Sequence, residues 1–97
     1  NINKIIVSNS YISLNDLNKI KEYNHINQIC FKKCMFENGN LDFPNNILKL
    51  ELLGCFIGDY KFLKSMTNLQ KLVINNPYTN NSIDLSYISN MKCLKEF

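Results

Sequence analysis

Two stretches, Ile26-Asn27-Gln28-Ile29-Cys30-Phe31-Lys32-Lys33-Cys34-Met35-Phe36 and Ile47-Leu48-Lys49-Leu50-Glu51-Leu52-Leu53-Gly54-Cys55-Phe56-Ile57, are copies of one pattern. Each is apolar at its first, fourth, sixth and eleventh positions and has Cys at its ninth. The fourth and sixth positions are two residues apart, the spacing of a strand that buries one face. The ninth position falls where such a strand turns back. A small side chain pointing inward there can donate to turn carbonyls that would otherwise be buried without partners.

The pattern extends in both directions. Upstream it reads Ile2, Ile5, Val7, Ser10, Ile12; downstream it reads Leu69, Leu72, Ile74, Pro77, Thr79, and Leu94 and Phe97 open a further copy. The outer copies depart from it at the ninth and eleventh positions only. Starts at 2, 26, 47, 69 and 94 give successive periods of 24, 21, 22 and 25 residues. A recurring period in this range marks a repeat architecture, in which no unit can bury its apolar face alone.

On these residues the chain resembles the leucine-rich repeat family over essentially its whole length. The resemblance implies an α/β leucine-rich repeat solenoid: a curved parallel β-sheet with short helices or coil on the convex side. One domain would fill residues 1–97, with repeats at about 2–25, 26–46, 47–68 and 69–93 and a partial one at 94–97. Strands are expected near 4–7, 28–31, 49–52 and 71–74, with a fifth near 95–97. Ile5, Val7, Ile29, Phe31, Leu50, Leu52, Leu72 and Ile74 should be buried. Phe43-Pro44-Asn45-Asn46-Ile47 resembles the joint of short bacterial-type repeats. Ile83 to Leu94 resembles a roughly 22-residue class found in intracellular regulators, so the subclass stays unassigned.

The return segments differ between copies. Ser13 to Tyr23 has a capping Ser, an acidic residue in the first turn, and Leu17, Ile20 and Tyr23 on one face, which predicts a short helix. Asp59 can cap a turn over Tyr60 to Met66, with Phe62, Leu63 and Met66 inward. Leu85, Ile88 and Met91 suit a helical turn. Asn38 to Pro44 is too short and too broken for a helix.

Ninety-seven residues make one domain or less. Charged residues are 20% and apolar ones 45%, a balance that fits a folded soluble chain. No apolar run approaches the ~18–20 residues of a membrane span, so no membrane partner is expected. Net charge is +3, and all 11 basic residues are Lys. The absence of Arg argues against a nucleic-acid reader, which leans on bidentate guanidinium contacts. The chain opens without Met and closes inside the apolar pattern. Unless they are covered, both ends would expose aliphatic side chains, which predicts flanking repeats in a longer array or end-to-end association.

Metal and cofactor sites find no support. His25, Cys30, Cys34 and Cys55 can be proposed as zinc ligands, but the repeat register sends them in different directions. Cys34 and Cys55 occupy adjacent ninth positions; a bridge across neighbouring strands is the alternative to two reduced, buried thiols. Cys30 is expected to be the most exposed cysteine. Reduced thiols place the chain inside the cell, in the cytoplasm. The sequon at Asn80-Asn81-Ser82 carries weight only in a secreted chain. No triad or phosphate loop is present, and His25 shares its position with Asn46 and Asn68, before the next copy's first apolar residue. The carboxylates Asp16, Asp42, Asp59 and Asp84 fall at caps and turns. No enzyme activity is therefore expected.

Function is expected on the concave face. Stacked strands place Lys4, Gln28, Lys49, Lys71 and Glu96 in one column, Ile6, Cys30, Glu51 and Val73 in the next, and Ser8, Lys32, Leu53 and Asn75 in a third. An outer column holds Asn3, Asn27, Leu48, Gln70 and Lys95. Lys4, Ile6, Lys32, Lys49, Glu51, Leu53, Lys71 and Val73 are the candidate partner-binding residues. Aliphatic patches flanked by Lys suit an acidic or amphipathic protein. An ordinary solvated sheet face would carry the same residues. The chain is thus expected to be a non-enzymatic protein-binding module. The alternative is the substrate-recognition arm of a ubiquitin ligase or host-directed effector.

Overall fold

In the computed structural model, which describes residues 3–75 and 85–89, the alternation of apolar and polar residues is realised as short strands. In chain order these elements are β1 (Lys4–Ser8), β2 (Tyr11–Ile12), α1 (Leu14–Ile20), β3 (Gln28–Lys32), β4 (Met35–Phe36) and β5 (Lys49–Leu53). A 3-10 helix (Lys61–Ser65), β6 (Lys71–Asn75) and a 3-10 turn (Leu85–Tyr87) follow. Strands β1, β3, β5 and β6 form a parallel four-stranded sheet in that order. Each strand runs one residue beyond the expected span. A fifth strand near 95–97 would lie outside the described residues.

The register follows the sequence pattern. Ile5, Ile29, Leu50 and Leu72 pair across the sheet, as do Val7, Phe31, Leu52 and Ile74. Ile29, Phe31, Leu50, Leu52 and Leu72 are buried in the core. Ile5, Val7 and Ile74 were expected to be buried with them and are only half-buried. They lie on β1 and β6, the outermost described strands, where a side chain has a described strand neighbour on one side only.

A second, narrow ladder follows the main sheet. Strands β2 and β4 pair in parallel, and Met35 also bridges to Phe56. Ile12, Phe36 and Ile57 point into the core; Tyr11, Met35 and Phe56 point outward. Among the described residues the turn that follows a strand of the main sheet recurs three times. Asn9, Lys33 and Gly54 take positive φ, at 53°, 54° and 67°. The Asn9 N–H donates to Lys32 O, the Lys33 N–H to Leu53 O and the Gly54 N–H to Asn75 O, at 2.9, 2.8 and 2.7 Å.

The core is one cluster between the sheet and the return segments. An aromatic series runs through it: Phe31 meets Phe36 edge-on at 4.9 Å, and Phe43 lies 6.1 Å from Phe31 and 4.9 Å from Phe62. On the return side, Ser13 and Asp16 close a reciprocal capping box on α1. The Asp16 N–H donates to Ser13 Oγ at 3.0 Å, and the Ser13 N–H donates to Asp16 Oδ2 at 2.9 Å. Leu17 is buried and Ile20 half-buried. Tyr23, expected on the inner face, is exposed, because the helix ends at Ile20 before it can turn that ring inward. Phe62, Leu63 and Met66 are buried as expected. Their turn is a 3-10 helix without a side-chain cap, and Asp59 Oδ1 accepts from the Lys61 N–H at 2.9 Å. Met91 lies outside the described residues.

Successive copies are tied together by asparagine. Asn46 Nδ2 donates to the carbonyls of Asn24 and Ile26, at 2.9 and 2.7 Å, and Asn68 Nδ2 donates to that of Asn45 at 3.0 Å. His25, at the equivalent position, is exposed.

The capping box yields a measurable expectation. Ser13→Ala should cost about 1 kcal/mol, as loss of an N-cap does. The bonds from the Ser13 backbone and side chain hold the Asp16 carboxyl below its ordinary 3.8. The stabilising contribution is therefore complete above pH 3.8 and lost as pH falls through the folded value. Acid titration of helical circular dichroism should show that loss in the natural chain and a smaller one in Ser13→Ala.

Candidate functional site

Residues at odd offsets between the buried pairs occupy the sheet face turned away from the core. The strand register aligns Lys4, Gln28, Lys49 and Lys71, then Ile6, Cys30, Glu51 and Val73, then Ser8, Lys32, Leu53 and Asn75. All eight candidate residues thus share one face across three adjacent columns. Lys4, Ile6 and Lys32 are exposed; Lys49, Glu51, Leu53, Lys71 and Val73 are half-buried. The columns' expected further members, Glu96 and Lys95, lie outside the described residues.

Charge on this face is unevenly compensated. Lys49 Nζ lies 3.6 Å from Glu51 Oε1, and both side chains are partly screened by their neighbours. Among the described residues of this face Glu51 is the single acid beside Lys4, Lys32, Lys49 and Lys71. An ion pair with this exposure adds little stability. Four lysines to one acid leave the described part of this face positive. The aliphatic part comes from Ile6, which is 56% exposed, together with Val73 and Leu53.

Cys30 departs from expectation. It is 3% exposed, as buried as Cys55, although it belongs to the open face. Its short side chain sits between the larger Ile6 and Glu51 of the flanking strands, which overtop it. Burial raises the Cys30 thiol above its ordinary 9.0; Glu51 adds to this, while Lys32, Lys4 and Lys49 oppose it. Cys30 is thus a buried floor to the face, on the strand between Ile6 and Glu51.

The ninth-position cysteines face the other way. Cys34 Sγ–H lies within donating distance of Val7 O and Lys32 O, both at 3.5 Å; Cys55 Sγ–H donates to Phe31 O at 3.3 Å. Val7 and Phe31 are equivalent residues of successive strands, so each thiol reaches back to the preceding copy. The three described cysteines are free. Among the described residues no three His, Cys, Asp or Glu side chains converge as a metal site would require. On the return side Glu37 Oε1 accepts from the Leu14 N–H at 3.0 Å, beside the Asp59 contact already described, and Asp42 pairs with the Lys21 ammonium.

Burial raises the Cys55 thiol as well. All three described thiols are buried, so alkylation of the native chain should spare Cys30, Cys34 and Cys55. In denaturant, without reductant, mass spectrometry should find four labelled thiols; a Cys34–Cys55 bridge would contradict this. A raised thiol pKa stabilises the fold below the ordinary 9.0, and that contribution is lost as pH rises through the folded value.

One set of surface residues was not singled out from the sequence: Tyr11, Met35 and Phe56, the outward column of the narrow ladder. The available signal was the tenth position of the pattern, which is large and apolar or aromatic in each copy.

Comparison with family models, curated proteins and solved structures finds no match to this chain. No helix among the described residues is long and apolar enough to cross a membrane.

Proposed function

We propose that this chain is a solenoid of the leucine-rich repeat type and that it is a non-enzymatic protein-binding module, engaging its partner through the open sheet face. The observation that carries this is the register. Residues about 22 positions apart in sequence stand side by side, so that Lys4, Lys49 and Lys71 line one column and Ile6, Glu51 and Val73 run along the next. Stacked copies create an extended surface from residues that the core does not use, which is how repeat proteins bind. Lysines around aliphatic side chains favour a partner that is acidic and partly apolar.

The test is comparative affinity purification with the 97-residue chain. A Lys49→Glu, Lys71→Glu, Val73→Ser variant should lose the proteins that the natural chain retains. A Lys19→Glu, Lys64→Glu variant, altered on the return side, should keep them. Retention that is equal for all three chains would refute the open face as the binding surface.

A further inference from the structure

The narrow ladder presents a second surface, which follows the open face in the chain. Tyr11, Met35 and Phe56 are 58%, 53% and 41% exposed, and they are consecutive members of one column. Their inward neighbours Ile12, Phe36 and Ile57 are buried and already supply the core. Nothing in the packing therefore requires a large apolar residue at the outward positions. Isolated exposed apolar side chains are ordinary, but a contiguous row is not. The types also matter: aromatic residues and Met are enriched at protein interfaces, and Met adapts its shape to what it meets.

Charge enters this row at its centre, through the turn that leads into Met35. Lys32 and Lys33, three and two residues before Met35 with the buried Cys34 between, are both exposed. Among the described residues neither forms a salt bridge. Lys33 also stands at φ 54°, a conformation that Gly or Asn would adopt more easily. A lysine is held there against backbone preference, as happens where a side chain has a use of its own.

Spacing selects the shape of the occupant. Adjacent parallel strands lie about 4.8 Å apart, so the three side chains span about 10 Å. An α-helix lying along the row presents its i, i+4 and i+7 residues at a pitch of about 5.4 Å, or about 10.5 Å overall. An extended strand would place alternate side chains about 6.8 Å apart and fall out of step by the third.

We infer that the Tyr11–Met35–Phe56 row is a docking site for an amphipathic α-helix of a partner protein, with apolar residues at i, i+3 or i+4, and i+7, and acidic residues beside them facing Lys32 and Lys33. This surface shares Lys32 with the open face and no other residue, and the Lys49 and Lys71 changes below distinguish the two.

A displayed library of helix-biased peptides, panned on the 97-residue chain, tests the assignment. Enriched peptides should carry that apolar spacing with Asp or Glu alongside. Their affinity should fall tenfold or more with Met35→Ser or Phe56→Ser, and severalfold with Lys32→Gln plus Lys33→Asn. It should stay within twofold with Lys49→Glu plus Lys71→Glu. Far-UV circular dichroism verifies that each variant is folded, as surface changes of this kind should be. The inference is overturned if no such peptides are enriched, if those enriched bind the Met35→Ser chain undiminished, or if they respond to the Lys49 and Lys71 changes instead. It is overturned equally if sedimentation shows the chain associating with itself through this row, in a manner that Met35→Ser abolishes.

Discussion

Phe31→Ala is expected to bring the chain to the edge of unfolding. Phe31 has no exposed surface, and its ring contacts Phe36 edge-on while facing Phe43 at 6.1 Å. It is the point where the sheet, the narrow ladder and the return segment after Gly39 meet. Truncating a buried Phe costs roughly 3–5 kcal/mol, combining lost burial with the cavity left behind. Small domains have net stabilities of only ~5–15 kcal/mol, with the smallest toward the lower end. Neighbours cannot close the gap cheaply, because Phe36 and Phe43 are held by their own strand and turn. In urea melts followed by far-UV circular dichroism, the Phe31→Ala midpoint should fall by most of the natural value. Ile6→Ser, on the open face, should change it little. A loss under about 1 kcal/mol for Phe31→Ala would mean that this aromatic series is not what joins the layers.

The parallel sheet was legible because one physical requirement recurs. Leu50 and Leu52 are two apart and both buried, Ile29 and Phe31 repeat them, and the spacing of the copies puts them in register. The inward thiols were legible for the same reason, since the turn at Cys34 and Cys55 needs a donor. The same periodicity placed Lys4, Lys49, Lys71 and their neighbours on one face, though it says only which way a side chain points. How deeply it sits depends on its neighbours. Cys30 points outward yet is buried, because Ile6 and Glu51 are larger; Ile5 points inward yet is half-exposed, because its strand is outermost. The return segments were harder still. Ser13 and Asp16 announce α1 by a local rule, whereas the turn after Asp59 is fixed by the burial of Phe62 and Leu63 and closes as a 3-10 helix. The Tyr11, Met35 and Phe56 row is less legible, because the positive-φ turn at Asn9, Lys33 and Gly54 interrupts the side-chain alternation before it resumes in the narrow ladder.

That turn supports the second large effect. Asn9, Lys33 and Gly54 stand at the same repeat position, all with positive φ, and each donates its N–H to the carbonyl of the next strand. Three different residues thus face one backbone demand. Glycine meets it without penalty, and Asn tolerates it through its short polar side chain. Other L-residues pay roughly 1–2 kcal/mol for the contact between Cβ and carbonyl oxygen. Gly54→Ala should therefore destabilise the chain by about 1–2 kcal/mol, and Gly54→Val by more, since β-branched residues are the poorest fit to this region. At Lys33 the sign reverses. Lys33→Gly removes the steric cost but loosens the unfolded chain, so a net gain below about 1 kcal/mol is expected; Lys33→Asn, which keeps a side chain, should gain at least as much. The turn's hydrogen bonds are made by backbone atoms and persist in every variant, so the comparison isolates conformation from contacts. Urea melts of the four chains beside the natural one give the result directly. If Gly54→Ala proved neutral while Lys33→Gly destabilised, the two turns would not share one conformation, and the repeat would end at the strands rather than continue through the turn into the narrow ladder.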